Sequence, residues 1–224
     1  MQDGLFSENW QIILQAKPAL ADSAKIVLAG SDYVLQQGER KPKALSELLT
    51  SGDIERVYDN TDYSQKLQVI LQTVKDENSL HQQLRWFRHL QMVRIIWRDL
   101  AGWADLAETT RDLSALADAC ISNTLDLLYQ WQTEVSGTPL NSDGQPQQLI
   151  VLGMGKLGAG ELNLSSDIDL IFCYDEDGDT QGGRRNLSHE EFFTRLGRKL
   201  IQALDNVTAE GFVFRVDMRL RPFG

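Results

Sequence analysis

A chain of 224 residues, 42% hydrophobic and 24% charged, can build one large core or two small ones. No run in it approaches the roughly 20 apolar residues that a membrane span requires. Its 32 acidic residues outnumber the 22 basic ones for a net charge of −10, a field that repels nucleic acid, and no basic stripe with interleaved aromatics offsets it.

The start, Met1 to Trp10, carries acids and amides rather than a basic stretch and an apolar run. No secretion signal is read there, and a cytoplasmic protein is expected. Cys120 and Cys173 then read as reduced core residues. Residues 1–145 read as a helical region. Helices are expected over Glu8–Ala29, Ala44–Leu49, Ser64–Lys75, Leu80–Leu100 and Asp105–Gln132. In the fourth of these, Leu84, Phe87, Leu90, Ile95 and Trp97 recur near helical spacing, with Arg85, Arg88, Arg94 and Arg98 between them. A solvated face is the plain reading of those arginines, and a phosphate- or partner-facing role is the alternative. Trp10, Trp86, Trp97, Trp103 and Trp131 read as interhelix packing.

The turn formers of Ser136–Pro146 close the helical part, and residues 146–224 read as a small α+β core. Strands are expected at Gln148–Leu152, Ile168–Tyr174 and Phe212–Leu220. Between the last two lies a helix announced by Ser188 and Glu191 at capping-box spacing, with Phe192, Phe193, Leu196, Leu200 and Leu204 on one face. The acids Asp175, Glu176, Asp177 and Asp179 lack calcium-loop spacing and read as a solvated turn. The three histidines are scattered and show no metal spacing.

Two motifs overlap in Leu152–Asp169. Gly153, Gly155 and Gly158 fit the dinucleotide pattern G-x-G-x-x-G, with Asp175 roughly 20 residues on. A parallel crossover needs about a dozen residues or more, however, and Asn163, Ser165 and Ser166 stop any helix early. The other motif is a glycine loop followed by D-x-D opening a strand. Residues two apart on a strand share a face, so Asp167 and Asp169 project together while Ile168 and Leu170 enter the core. Two such carboxylates repel unless a cation neutralises them. Mg²⁺, a hard ion that takes carboxylate and phosphate oxygens, suits the pair; two ions are expected, with Mn²⁺ as a substitute.

The loop's backbone N–H groups and Lys156 can hold phosphate. In the last strand Phe212, Phe214 and Val216 mark one face, leaving Val213, Arg215, Asp217 and Arg219 on the other. Asp217 is the candidate third carboxylate, with an ion pair to a neighbouring arginine as the plain alternative. The candidate phosphate- and nucleotide-binding set is Gly153, Gly155, Lys156, Gly158, Ser165, Ser166, Arg219 and Arg221.

The runs GMGKLGAGELNLSSDIDLIF, TQGGRRNLSHEEFFTRLGRKLIQALD and GFVFRVDMRLRPFG resemble bacterial glutamine synthetase adenylyltransferases, also called adenylyl-removing enzymes. LRWFRHLQMVRIIWRDLAG is similar to the family's helical region ahead of the site. The resemblance implies a polymerase-β-like nucleotidyltransferase core in which Gly155, Asp167 and Asp169 form a G-x11-D-x-D signature and Asp217 is the third acid. TQGGRR, the RVDMRLRPFG ending and the start at Met1 resemble the N-terminal half. There, inorganic phosphate releases AMP from a tyrosine of glutamine synthetase as ADP; transfer of AMP from ATP is the activity of the other half. Regulation by the PII signal protein and 2-oxoglutarate follows from the same resemblance. Family members continue well past the third acid, so a chain that stops at Gly224 is expected to be a truncated half.

Overall fold

A computed structural model describes residues 18–218, with side chains from Leu20 onward, and over that span the fold is α+β. Six helices come first: α1 (Pro18–Gly30), α2 (Asp32–Arg40), α3 (Pro42–Ser51), α4 (Asp62–Leu71), α5 (Glu77–Leu100) and α6 (Leu106–Ser136). After them come β1 (Thr138–Pro139), β2 (Ile150–Met154), α7 (Gly155–Gly158), β3 (Ile168–Cys173), β4 (Thr180–Gln181), α8 (His189–Asp205) and β5 (Val216–Asp217). Residues 8–17 of the first expected helix, with Trp10, lie outside the described residues.

Local chemistry sets these boundaries. The α5 start is a capping box: Asp76 accepts from Ser79 N at 2.8 Å while Ser79 Oγ accepts from Asp76 N at 3.3 Å. Pro42 opens α3, and Gly52 at φ 84° ends it. Ser188 caps α8 by accepting from Glu191 N at 3.1 Å, as the spacing predicts, although the Glu191 carboxylate pairs with Arg195. The buried face of α8 includes Phe192, Phe193, Leu196, Leu200 and Leu204.

The arginines of α5 depart from the expected solvated face. Arg85, Arg94 and Arg98 are buried because α5 packs against α1, α2, α3, α4, α6 and α8 and keeps no broad face for solvent. Arg94 pairs with Asp112 on α6 at 2.8 Å and donates to Tyr63 Oη and Asp53 O, both at 3.0 Å. Arg98 pairs with Glu108 at 2.7 Å and donates to the carbonyls of Ile54 and Glu55. Both therefore stitch the loop between α3 and α4 to the α5–α6 pair. Arg85 donates to the carbonyls of His81, Asn206 and Gly211, gripping the turn that leads from α8 toward β5. Trp97 is fully buried, its indole N–H donating to Ser23 Oγ at 3.0 Å.

The main sheet has the order β2-β3-β5. β2 and β3 are antiparallel, with Ile150 opposite Cys173 and Met154 opposite Asp169, whereas β3 and β5 are parallel, with Asp169 beside Asp217. The antiparallel β2–β3 pair and the four-residue α7 remove the dinucleotide alternative, which needs a helical crossover between parallel strands. The core face of the sheet carries Ile168 and Leu170, both essentially fully buried, as the alternation predicts.

The last strand is shorter than expected. Within the described part of Phe212–Leu220, only Val216–Asp217 pairs. The N–H groups of Val213 and Phe214 instead donate to Leu204 O at the end of α8. Both side chains are buried there, so the expected placement of Val213 on the outer face fails. Cys120 is buried and free, but Cys173 is exposed rather than in the core, because it falls on the same outward alternation as Asp169. The Ser136–Pro146 turn contains an unexpected strand: β1 pairs with β4, and Asn141 Oδ1 accepts from the N–H groups of Asp143 and Gln145. Gly183 packs on the Ser136–Gly137 backbone, a contact closed to any side chain, which accounts for the second glycine of TQGGRR; the first, Gly182, takes φ 81°. Among the described residues no helix is long and apolar enough to cross a membrane.

Candidate functional site

The outward face of the main sheet collects the acids. Asp169 lies in the middle strand, and the parallel register puts Asp217 directly beside it on β5. Side chains in register on neighbouring strands share a face, so these two carboxylates point the same way, and Asp167, two residues before Asp169, follows them. The sequence-derived trio is thus brought to one surface. Among the described residues, however, no three His, Cys, Asp or Glu side chains already stand in an arrangement that holds a metal ion. The donor chemistry fits a hard divalent cation, since all three groups are carboxylates on an accessible face.

The glycine loop meets this face at Gly155. Its φ is 55°, and a Cβ there would stand 3.0 Å from Asp169 Oδ2, so the position needs glycine for its conformation and for the space beside the acid. Gly158 does different work: a Cβ on it would overlap the Gly153 carbonyl oxygen, so this glycine lets α7 pack on β2. Gly153 itself lies under Leu157, whose Cγ would be 3.0 Å from an added Cβ. Two of the three fingerprint glycines are therefore packing residues. No side chain caps α7, which begins at Gly155.

Lys156 reaches Ser166 Oγ at 3.5 Å, and Ser166 Oγ donates to Asn163 Oδ1 at 2.7 Å. Asn163 Oδ1 also accepts from Ser165 N, so Asn163 shapes the turn before the acids. Arg219 and Arg221 lie outside the described residues. Arg215 is the neighbour that the sequence-derived site set lacks. Its Nε is 2.6 Å from Asp167 Oδ1, and its Nη2 donates to Ser165 O at 3.0 Å. The signal for it was present: Arg215 precedes Asp217 by two residues and so takes the same face of β5.

Beside the acids the outward face is apolar. Ile150, Leu152 and Met154 of β2 are 47%, 46% and 38% exposed, and their cross-strand neighbours are Cys173, Ile171 and Asp169. A cleft of about 570 Å³ between α6 and β2 is lined by Tyr129, Val151, Gly153 and Leu157. Val151 and Gly153 are core-face positions, so that cleft is separate from the acid face. The Asp175–Asp179 turn is fixed from below by His189, which is buried and donates from Nδ1 to Glu176 O at 2.8 Å. A Cβ at Gly178 would stand 2.8 Å from the imidazole Cε1. This accounts structurally for the turn and for one of the scattered histidines.

Comparison with known proteins bears on this arrangement. Over 199 residues the chain is 55% identical to the bifunctional glutamine synthetase adenylyltransferase/adenylyl-removing enzyme of Pseudomonas aeruginosa, covering 88% of the chain and 20% of that protein. It is 49% identical over 224 residues to the protein of the same description from Nitrosococcus oceani, covering 100% of the chain and 23% of the relative. For the Shewanella loihica protein the identity is 43% over 225 residues, with 97% and 23% coverage. The chain thus spans between a fifth and a quarter of the length of these relatives. The model of the glutamate-ammonia ligase adenylyltransferase family matches residues 21–224, and the chain belongs to that family.

Proposed function

We propose that this chain carries a polymerase-β-like nucleotidyltransferase site that removes AMP from an adenylylated tyrosine of glutamine synthetase. The observation that carries the reading is the shared sheet face of Asp167, Asp169 and Asp217, with Gly155 closed against Asp169. The relatives are described as both adenylyltransferase and adenylyl-removing enzymes; the removing direction rests on the resemblance of the TQGGRR and RVDMRLRPFG runs to the N-terminal half.

The reaction is a displacement at phosphorus. An oxygen of inorganic phosphate bonds to the α-phosphorus, the bond to the tyrosine oxygen breaks, and ADP leaves while the phenolate takes a proton. Bound Mg²⁺ or Mn²⁺ supplies charge neutralisation at the phosphoryl oxygens and at the departing phenolate. Asp167, Asp169 and Asp217 would hold that ion. Gly155 leaves room for the Asp169 carboxylate, and Lys156 offers a positive charge to the incoming phosphate. Ile150, Leu152 and Met154 offer an apolar surface on which the adenine and phenol rings can lie. The partners of this reading are adenylylated glutamine synthetase, phosphate and nucleotide, with PII as the regulatory partner, in the cytoplasm. Residues 1–145 would form a helical region and residues 146–224 the catalytic core.

The test offers adenylylated glutamine synthetase, phosphate and Mg²⁺ to the chain and measures ADP. Asp169→Asn and Asp217→Asn should each lower the rate by more than the roughly 10–100-fold that loss of a ligand's outer hydrogen-bond partner causes. AMP incorporation from ATP without ADP release would reverse the direction. Unchanged rates in both variants would remove the three-acid site.

A further inference from the structure

Arg215 is joined to the segment before β3 by both its side chain and its main chain. Its Nε lies 2.6 Å from Asp167 Oδ1, its Nη2 donates to Ser165 O at 3.0 Å, and its own carbonyl accepts from Ile168 N at 2.9 Å. The guanidinium therefore spans the final turn of the glycine loop and the first acid of D-x-D. The other loop cation, Lys156, is turned toward Ser166. Arg215 and Asp167 are both about half exposed, at 55% and 48% of their side-chain surface, so the contact can open without unburying either group.

A guanidinium nitrogen 2.6 Å from Asp167 Oδ1 occupies space that a metal ion bound to the same oxygen would need. Two positive charges crowded on one carboxylate also repel. Arg215 and a divalent cation are thus alternatives at Asp167 Oδ1. Asp167, two residues from Asp169, has a counter-charge in either case.

We propose that Arg215 is a positioning residue that holds Asp167 and is exchanged for the metal ion when the ion binds; this rests on the metal-dependent reading given above. The exchange keeps Asp167 in place and its charge neutralised, and it sets the metal affinity below what Asp167 would give without Arg215 beside it. Once released, the guanidinium stays anchored by its backbone beside Asp217, where phosphate oxygens are its natural partner.

Two measurements on the chain test this. Mn²⁺ affinity is read from the free-ion signal in electron paramagnetic resonance for the wild type, Arg215→Gln and Asp169→Asn. An exposed ion pair is weak, so Arg215→Gln should tighten Mn²⁺ binding by about threefold to fivefold, while Asp169→Asn weakens it. In parallel, the Arg215 Nε–H resonance, assigned by its loss in Arg215→Gln, is followed through a Mg²⁺ titration. It should move with the same midpoint as metal binding. If Mn²⁺ affinity is unchanged or weaker in Arg215→Gln, or the resonance stays fixed as Mg²⁺ saturates, the exchange does not occur. If Asp169→Asn also leaves Mn²⁺ affinity untouched, the metal is not at these acids, and the functional reading fails with the inference. Tighter binding in Arg215→Gln with a fixed resonance would reduce Arg215 to a general charge effect and also overturn the exchange.

Discussion

Gly155 and Gly160 lie in one loop and both take positive φ, 55° and 71°, but their surroundings differ. A Cβ at Gly155 would stand 3.0 Å from Asp169 Oδ2, whereas at Gly160 nothing lies within 4 Å. The left-handed region disfavours a side chain by roughly 1–2 kcal/mol. An alanine also narrows the unfolded ensemble, which returns about 0.4–1 kcal/mol. Gly155→Ala and Gly160→Ala should therefore each lower the unfolding free energy by about 1 kcal/mol in urea titrations. Only Gly155→Ala should disturb the site, because the Asp169 carboxylate must retreat by a few tenths of an ångström. Misplacement by about 1 Å can cost on the order of a hundredfold in rate, so a smaller retreat should lower ADP release by about tenfold. Equal activity in the two variants would refute the assignment of Gly155 as the residue that seats Asp169. So would a loss of stability in Gly155→Ala without loss of activity.

Two further outcomes are expected. Asp112→Ala leaves Arg94 buried without its counter-charge, which should lower stability by about 3–5 kcal/mol in urea unfolding; a change below about 1 kcal/mol would mean that the neighbouring carbonyls and Tyr63 suffice. Burial pushes the Cys120 thiol up to about 12, and Cys173 is exposed. At pH 8 a thiol reagent should therefore modify Cys173 at once and Cys120 only after denaturant is added, with mass spectrometry locating the adduct.

Much of the site could be read along the chain because its signals are local. The D-x-D pair shares a face by the two-residue period of a strand, Ile168 and Leu170 fill the alternate positions, and Gly155 stands at fixed spacing before them. Most helices of the first part follow from apolar periodicity in the same way, and the Ser188 cap from a three-residue spacing. The exception is α2, a nine-residue helix with only Val34, Gln37 and Gly38 buried, which shows too little apolar pattern to be expected.

What pairs with what is not local, and there the tertiary structure decided. The sense of the β2–β3 pair separates a metal-type acid face from a dinucleotide fold, although the same three glycines serve either motif. The parallel register that sets Asp217 beside Asp169 depends on how α8 returns the chain, with Val213 and Phe214 tied to Leu204 rather than to a strand. The α5 arginines have the spacing of a solvated face, yet six other helices and the α3–α4 loop close over α5, and the charges of Arg94 and Arg98 are satisfied by carbonyls and acids distant in sequence. Arg215 belongs with Asp167 for the same reason. The sequence by itself determined which residues could share a strand face; packing determined which faces meet, because burial and partner choice are properties of the whole fold.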